Sequence, residues 1–339
     1  MKGVMTMMRL RAERKRRGGL LPFWAIGLTA LVASSSLALD LGYIALWRMR
    51  LQQAADAGAL AGAIELAGDL KSESEREADA VLRGQEIALE NAGAQYVVSF
   101  PLSQDCTVSA TKNVPLFFAK AVGMNSITVH ASATARIAGV SAIRGLRPFG
   151  IEEPEEGFEF GESYSLKLGP KDGTEPTEGL HGNFHALAIG ASGANTYRNN
   201  VKYGADIVVR VGDWLPTEPG NMSGPTDQGV EYLLQQEIIQ EGVEYIMDQD
   251  HIAWEWYALH PDELDGSPRV ITIPVVGSWD GVYGRSNVEI VGFAMFFLEG
   301  VAGTGKDSRV IGRFVKGVAS GVVESGGSSF GAFAVRLAN

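Results

Sequence analysis

A glycine-rich segment in the last tenth or so of this chain has almost the spacing that binds phosphate in nucleotide enzymes. Residues 300–307 (GVAGTGKD) nearly fit the pattern G-x-x-x-x-G-K-S/T, in which backbone N–H groups hold the phosphates and a hydroxyl holds Mg²⁺. Asp307 stands where that hydroxyl would be, and its negative charge would repel the phosphates. The residues that follow favour a strand, whereas a phosphate site needs the N-terminus of a helix. The segment therefore predicts a hairpin turn.

Histidines with nearby carboxylates form two candidate metal sites, because both groups are common ligands of zinc. His181 and His185 are four residues apart, but the glycines around them favour loop and strand over the helix that this spacing requires. A second group of metal-ligating residue types comprises Asp248, Asp250, His251, His260 and Asp262. It lacks the glycine and the terminal glutamate of a calcium-binding loop. The sequence therefore assigns no metal ligand, no cofactor and no catalytic residue.

Aromatic side chains and polar turns are the remaining candidates for a binding surface. Four aromatic residues could form an exposed surface for a glycan or a protein: Trp214, Trp254, Trp256 and Tyr257. At their spacing, packing in the core is the favoured interpretation. Turn-forming residues at Asn199–Asn200 and at 219–225 (PGNMSGP) could form a partner-binding edge, although ordinary turns have the same composition.

An apolar stretch near the amino terminus is the element that must position everything else. Leu20 to Leu39 contains no charged residue. As a helix it would be about 30 Å long, which matches the hydrocarbon core of a bilayer. Ser34 to Ser36 do not prevent this, because a hydroxyl can bond to a carbonyl of its own helix. Apolar residues continue to Trp47, and Tyr43 and Trp47 suit the membrane interface. The sequence therefore predicts a transmembrane helix over residues 20–47.

Basic residues before this stretch predict its orientation. Residues 1–19 contain one acid, Glu13, and seven bases: Lys2, Arg9, Arg11, Arg14, Lys15, Arg16 and Arg17. Because basic flanks stay in the cytoplasm, we expect residues 1–19 there and the rest outside, with the helix in the inner membrane. A cleaved signal peptide is one alternative, although its apolar region is usually about 7–15 residues. A leader that is cut after Gly18–Gly19, as in prepilins, is another, but the fifth following residue is Trp24 rather than glutamate.

Composition limits what the remaining residues can bind. The net charge is −11 although residues 1–19 are basic, so the rest of the chain is strongly acidic and would repel nucleic acid. The single cysteine, Cys106, cannot form an intrachain disulfide, so an exported domain must be stabilised by packing alone. Cys106 falls in a predicted strand, where a small buried residue is the favoured interpretation.

Small residues follow the predicted span. Ala54, Gly58, Ala61 and Gly62 would form a smooth helix face, which another backbone could approach closely. That backbone could belong to an assembly partner or to strands of the same chain, and the sequence favours neither. Asp40 lies at the outer end of the apolar stretch, where it could pair with another helix or reach the water of the headgroup layer.

The rest of the chain predicts an α+β fold. Residues 72–93 favour a helix that begins with a capping box of Ser72 and Glu75. Residues 127–137 alternate apolar and polar side chains, which is typical of a strand buried on one face. Further strands are predicted at 96–100, 107–111, 163–168, 186–189, 205–211, 269–276, 288–298 and 308–315, with a short helix at 115–122 and a helix-like stretch at 230–240. Short strands broken by Gly, Pro and Asn favour a sandwich-like β-rich domain.

Five segments resemble the amino-terminal region of TadE/TadG-like proteins of Tad/Flp pilus assembly. They are residues 16–19 (RRGG), 39–43 (LDLGY), 51–61 (LQQAADAGALA), 114–123 (VPLFFAKAVG) and 127–133 (ITVHASA). The resemblance covers residues 16–138 and implies a membrane-bound, pseudopilin-like or accessory pilus component without catalysis. It gives anchor or assembly roles to ten residues: Arg16, Arg17, Gly18, Gly19, Asp40, Gly42, Ala54, Asp56, Gly58 and Ala61. Some TadG-like proteins carry a metal motif D-x-S-x-S, which does not occur here, so a metal-dependent adhesion role is not expected.

The expected organisation is a basic leader at 1–19, a transmembrane helix at 20–47, a pilin-like α+β region at 48–140 and a β-rich extracytoplasmic domain at 148–339. The expected function is that of a structural component of a Tad pilus-assembly or related secretion system. Its candidate partners are pilus-assembly proteins, pilins, the lipid bilayer and a second copy of the chain. A surface adhesin that binds glycan or protein is one alternative. A cell-surface hydrolase is another, and it would need an acid, a base and a nucleophile that converge.

Overall fold

The computed structural model describes residues 20–67, 72–168, 183–248, 250–264, 266–303, 307–323 and 330–338. Its α-helices are α1 (Leu21–Leu66), α2 (Glu73–Ala92), α3 (Ala194–Tyr203), α4 (Ser223–Leu234), α5 (Trp254–Leu259) and α6 (Pro261–Leu264), and a 3-10 helix covers Ala119–Val122. The strands of the first half are β1 (Gln95–Ser99), β2 (Asp105–Pro115), β3 (Ser126–Gly139), β4 (Ala142–Arg144), β5 (Ile151–Glu152), β6 (Ser163–Lys167) and β7 (Asn183–Leu187). Those of the second half are β8 (Val208–Arg210), β9 (Trp214–Pro219), β10 (Met247–Asp248), β11 (His251–Ile252), β12 (Val270–Val276), β13 (Asn287–Ala302), β14 (Arg309–Val315), β15 (Gly317–Val318), β16 (Gly321–Val322) and β17 (Ala332–Ala338).

Helix α1 is continuous over 46 residues, so it is about 69 Å long. Pro22 lies at its start, where the missing N–H would have no helical partner in any case. Helix α2 begins with the predicted capping box, in which the Ser72 hydroxyl accepts from the Glu75 N–H and the Glu75 carboxylate accepts from the Ser72 N–H. It ends at Gly93, whose left-handed conformation (φ 52°) no β-branched residue would adopt without strain.

A five-stranded sheet with the order β1-β2-β3-β17-β15 packs against α1 and α2. Strand β3 follows the predicted alternation, with Val129, Ala133 and Ala135 buried toward the helices. Strand β17 pairs antiparallel with β3, from Phe333 opposite Gly139 to Ala338 opposite Thr134. We call α1 from residue 40 onward, α2 and this sheet the first module. Strand β17 of this module lies within residues 148–339, which the sequence assigned to a separate domain.

The larger sheet has the order β5-β12-β13-β14-β6, and β9 also pairs with β13. Strand β13 is buried on both faces, because Phe293 and Phe297 contact one hydrophobic cluster whereas Ala294, Phe296 and Leu298 contact the other. A strand of this kind needs an almost continuous apolar run, and the sequence GFAMFFL supplies it. We call this sheet and the elements packed on it the second module.

Different elements cover the two faces of the larger sheet. Helices α3 and α4 cover one face through Tyr197, Val201, Val230 and Leu233, all buried. The three-stranded sheet β16-β4-β8 and helix α5 contribute to the cluster on the other face. The prediction of a mixed α+β fold, with a long apolar helix followed by a β-rich region, is confirmed. Because helices α3 and α4 cover one face of the larger sheet, the second module has a helical layer in addition to its packed sheets.

One predicted turn is wrong. Asn199 and Asn200 were expected in a loop, but both belong to α3. Asn200 is buried and donates from Nδ2 to the Ile189 carbonyl oxygen at 2.8 Å. Because this amide satisfies a buried backbone acceptor, its polar character serves packing and not turn formation. The 219–225 segment turns at Gly220 and Met222, which both have positive φ, but its last three residues belong to α4.

Candidate membrane anchor and its junction with the first module

The first half of α1 is an apolar helix that packs on nothing else in the described chain. In that part of the chain, α1 is the helix that is long and apolar enough to cross a membrane. Its large apolar side chains from Leu20 to Leu39 are 55–74% exposed: Leu20, Phe23, Trp24, Ile26, Leu28, Leu31, Val32, Leu37 and Leu39. Fully burying one such side chain is worth about 1.5–3 kcal/mol, and because only about two-thirds of each is exposed, the nine together favour an apolar environment by on the order of 10–20 kcal/mol.

Hydroxyl groups in this segment bond to their own helix. Ser34 Oγ donates to the Ala30 carbonyl at 2.8 Å, and Ser36 Oγ donates to the Val32 carbonyl at 2.6 Å. Thr29 Oγ1 lies 2.9 Å from the carbonyl of Ala25. The expectation that the serine hydroxyls bond to their own helix is confirmed for Ser34 and Ser36, so these groups add little to the cost of placing the segment in lipid.

Asp40 marks the point where α1 changes from exposed to packed. Its side chain is 2% exposed. Its carboxylate accepts hydrogen bonds from three consecutive backbone N–H groups, those of Phe117 at 2.8 Å, Phe118 at 3.0 Å and Ala119 at 2.7 Å. Neither predicted role for Asp40, a helix partner or contact with headgroup water, describes this arrangement. No local pattern indicates this arrangement, because the donors are backbone groups more than 70 residues away in the sequence.

Aromatic residues complete this junction. The ring of Tyr43 lies 5.2 Å from that of Phe117 and 6.3 Å from that of Trp47, both edge-on. The ammonium group of Lys112 lies 3.8 Å above the Trp47 ring. These contacts bind α1 to strand β2 and the loop after it. The part of α1 that nothing else in the described chain covers therefore ends at residue 39, whereas the predicted span continued to residue 47. Beyond residue 39 one face of α1 packs on the module, and Leu41 and Met49 on the helix remain 56% exposed.

The small residues after the junction face α2 of the same chain. A Cβ atom added to Gly58 would lie 2.6 Å from the carbonyl oxygen of Gly84 and 3.0 Å from Ala88 Cβ. One added to Gly62 would lie 2.7 Å from Cys106 Sγ and 2.9 Å from the Ala80 carbonyl oxygen. The close approach that the sequence predicted is thus made within the chain. A partner helix cannot use this face while α2 occupies it.

The other residues singled out by resemblance have varied surroundings. Ala54 is fully buried and Ala61 is half-buried, whereas Gly42 is exposed and has open space around it. Asp56 accepts from Gln52 Nε2 at 2.8 Å, and the same nitrogen lies 3.1 Å from the Ser132 carbonyl on β3. The pair therefore helps to fix α1 on the sheet. Four of the ten lie outside the described residues: Arg16, Arg17, Gly18 and Gly19.

The candidate metal sites do not assemble in the described part of the chain, where no three His, Cys, Asp or Glu side chains converge. His251 Nδ1 lies 3.9 Å from Glu237 Oε2, and His260 Nδ1 lies 2.8 Å from the Trp256 carbonyl oxygen. His181 and the side chain of Asp262 lie outside the described residues. Strands β13 and β14 pair antiparallel up to Ala302 opposite Arg309, which confirms the predicted hairpin, and residues 304–306 between them lie outside the described residues.

A serine motif near the end of the sequence also lacks its structural context. Residues 327–331 (GSSFG) fit the pattern G-x-S-x-G of serine hydrolases, in which a strand precedes the serine and a helix follows it. Here the residues that follow form strand β17. Ser329 itself lies outside the described residues. The pattern therefore does not define a nucleophile elbow.

Cys106 and the aromatic residues are core residues for the most part. Cys106 is fully buried, and burial raises the pKa of its thiol to about 11, so it is protonated and unreactive at neutral pH. Trp256 and Tyr257 are buried in the second module, as predicted from their spacing. Trp214 is 62% exposed and lies on a different element, β9.

Buried charges in the second module were not foreseen. Lys167 is fully buried, donates from Nζ to Asn221 Oδ1 at 3.0 Å, and has its pKa lowered to about 8 by burial. Arg269 and Glu237 form an ion pair at 3.1 Å, with both side chains 4% exposed. Each fixes a loop onto the large sheet. Local sequence patterns could not predict these pairs, because the two partners of each are more than 30 residues apart in the sequence.

Residues 18–65 match the family described as putative Flp pilus-assembly TadE/G-like. The matched residues include nearly all of helix α1 (Leu21–Leu66), which is thus similar to this family. We refer to residues 18–65 as the Tad segment, which includes both the exposed half of α1 and nearly all of the half that packs in the first module. No curated protein and no solved structure matches the chain significantly. The match and the apolar first half of α1 together suggest membrane anchoring.

Proposed function

We propose that the chain is a membrane-anchored, non-catalytic component of a Tad/Flp pilus-assembly or related secretion system. The Tad segment is the observation that carries this proposal, because the family it matches is described by Flp pilus assembly. The exposed apolar half of α1 supports the anchoring, since nothing in the described chain covers it. A long helix that projects from a mostly antiparallel sheet also supports the pseudopilin-like character that the resemblance implies.

In the proposed topology, residues 20–39 cross the inner membrane and residues 1–19 stay in the cytoplasm. Seven bases in the leader support this orientation, because basic flanks are retained on the cytoplasmic side. Both modules would then lie outside the cytoplasm. The acidic composition of that part suits a soluble domain without nucleic-acid contacts.

The proposed partners are pilins, other assembly proteins and a second copy of the chain. Because α2 occupies the face that contains Gly58, these partners would meet the exposed half of the Tad segment or the surfaces of the modules. Crosslinking in membranes followed by purification tests this. Recovery of pilus proteins is the expected result, and a chain that purifies alone after crosslinking would contradict the proposed role.

Membrane anchoring has a sharper test with matched variants. Leu28→Arg with Leu31→Arg places two charges in the proposed span, at about 2.5–3.5 kcal/mol each on insertion scales. Leu82→Arg with Leu89→Arg makes the same change at exposed leucines of α2. After alkaline washing of membranes, the wild type and the α2 variant should stay in the pellet and the span variant should be depleted from it. Release of the wild type would refute the anchor.

Orientation is tested with reporter fusions. A phosphatase that is active only outside the cytoplasm should be active when fused after residue 338 and inactive when fused before residue 20. The opposite pattern would refute the proposed topology while leaving the anchor intact.

A further inference from the structure

The loop between β2 and β3 lies beside the end of the exposed apolar helix. We call residues 116–125 the Phe loop. Asp40 holds it through the three backbone N–H groups of residues 117–119, at 2.7–3.0 Å. Asp40 directly follows Leu39, the last residue of the exposed segment. The loop is therefore fixed at the level where the proposed span ends.

Large apolar side chains of the Phe loop face outward. Phe117 is 59% exposed, Phe118 46% and Met124 53%. Single exposed apolar residues are common on protein surfaces, but here three lie within eight residues, and the Phe117 ring contacts the helix at Tyr43. Leu41, which follows Asp40 on the helix, is also 56% exposed.

We propose that the Phe loop is a second membrane contact, inserted into the surface of the bilayer on the side where the modules lie. This rests on the proposed function, because it requires that residues 20–39 span the bilayer. Phe117, Phe118 and Met124 would lie at the boundary between headgroups and acyl chains, where aromatic side chains are favoured. Lys120, exposed in the same loop, suits the negative phosphates of the headgroups.

Two connected contacts would restrict the first module more than a helix alone. The loop cannot leave the membrane surface by itself without breaking its hydrogen bonds to Asp40 or the contact between the Phe117 and Tyr43 rings. The module would therefore be held at the membrane surface at two connected points, the end of the span and the Phe loop. The opposite end of the module would point away from it.

The matched control comes from that opposite end. Leu102, in the turn between β1 and β2, is 58% exposed and is thus as exposed as Phe117. It lies at the other end of β2, whose 11 residues place it about 35 Å from the Phe loop. The proposal predicts contact with lipid for the Phe loop and contact with water for Leu102.

Nitroxide spin labels on the full chain in phosphatidylethanolamine–phosphatidylglycerol vesicles test the proposal. Labels are attached at Phe118→Cys, Met124→Cys, Leu102→Cys and, as a reference within the span, Leu31→Cys. Buried Cys106 should remain unlabelled, which the wild type checks. Accessibility to oxygen, which concentrates in lipid, is compared with accessibility to a water-soluble nickel chelate. Labels at 118 and 124 should favour oxygen several-fold over the label at 102.

Other outcomes overturn the proposal in distinguishable ways. If the label at 31 favours oxygen but those at 118 and 124 favour the nickel chelate, the Phe loop lies in water and only the span remains. If the labels at 118 and 124 are immobile and reach neither reagent, a protein covers the loop instead of lipid. If the label at 31 favours the nickel chelate, the proposed span fails, and the loop contact fails with it.

Discussion

Adding one methyl group at Gly58 would test whether the Tad segment packs on α2 or on a partner. In Gly58→Ala the new Cβ would lie 2.6 Å from the Gly84 carbonyl oxygen and 3.0 Å from Ala88 Cβ. Real Cβ atoms essentially never approach a neighbour within 3.0 Å, and both neighbours belong to the backbone or sit next to it. The two helices must therefore move apart, because no flexible side chain is there to move instead.

The magnitude follows from two opposing effects. Overpacking of a close contact costs about 1–3 kcal/mol. Alanine is favoured over glycine in a helix interior by up to about 1 kcal/mol, which partly hides this cost. Gly42→Ala is the matched control, since Gly42 lies in the same helix with nothing within 4 Å of an added Cβ. The difference between the two variants removes the helix preference, so Gly58→Ala should be about 1–3 kcal/mol less stable than Gly42→Ala.

Thermal unfolding of the full chain in detergent measures this difference. One kcal/mol shifts the midpoint of a domain of 150–250 residues by about 2–4 °C, so we expect Gly58→Ala to unfold several degrees below Gly42→Ala. Crosslinking in membranes, measured in parallel, reports association. The reasoning is refuted if the two variants unfold together while Gly58→Ala loses crosslinked partners, because Gly58 would then serve another chain and not α2.

Three further predictions concern buried charges. Asp40→Asn should weaken the hold on residues 117–119 by about 1–3 kcal/mol, seen as faster hydrogen exchange of those amides, and unchanged exchange would contradict the proposed role of the carboxylate. The Arg136 hydrogen bond lowers the pKa of Asp105, so the pair stabilises the fold at neutral pH and this is lost as pH falls through the lowered pKa. Asp105→Asn should therefore lower the unfolding midpoint at pH 7, by a margin that shrinks below about pH 4, and a constant margin would count against the pair. Burial lowers the pKa of Lys167 from 10.5 to about 8, so the unfolded chain binds that proton more tightly than the folded chain does. As the pH rises from about 8 to 10.5, the stability of the wild type relative to Lys167→Met should therefore increase by up to roughly 3 kcal/mol. A difference between wild type and Lys167→Met that does not change over this range would show that the lysine is not desolvated.

The sequence predicted those parts of the fold that local patterns determine. The capping box at Ser72, the alternation in β3 and the apolar helix from Leu20 each depend on neighbouring residues, and each is confirmed. Strand β13 was found because a strand buried on both faces needs a continuous apolar run. Local patterns also identified α2 and the hairpin between β13 and β14.

What could not be predicted depends on residues that are distant in sequence. The carboxylate of Asp40 reads as an isolated charge until the Phe loop brings three N–H groups to it. Helix α3 was missed because Asn199 and Asn200 favour turns, and tertiary packing overrides that preference when Asn200 finds a buried acceptor. For Gly58, the sequence showed that a backbone would approach closely but could not identify α2 as that backbone.

The pairing of β3 with β17 has a consequence for the order of folding. Residues 140–331 lie between the two strands, so one edge of β3 has no partner until all of them have been made. At synthesis rates of about 5–20 residues per second, this takes roughly 10–40 s. An unpaired edge of this length invites strands from other nascent chains. Shielding by a chaperone during that interval would thus protect the sheet on which α1 rests.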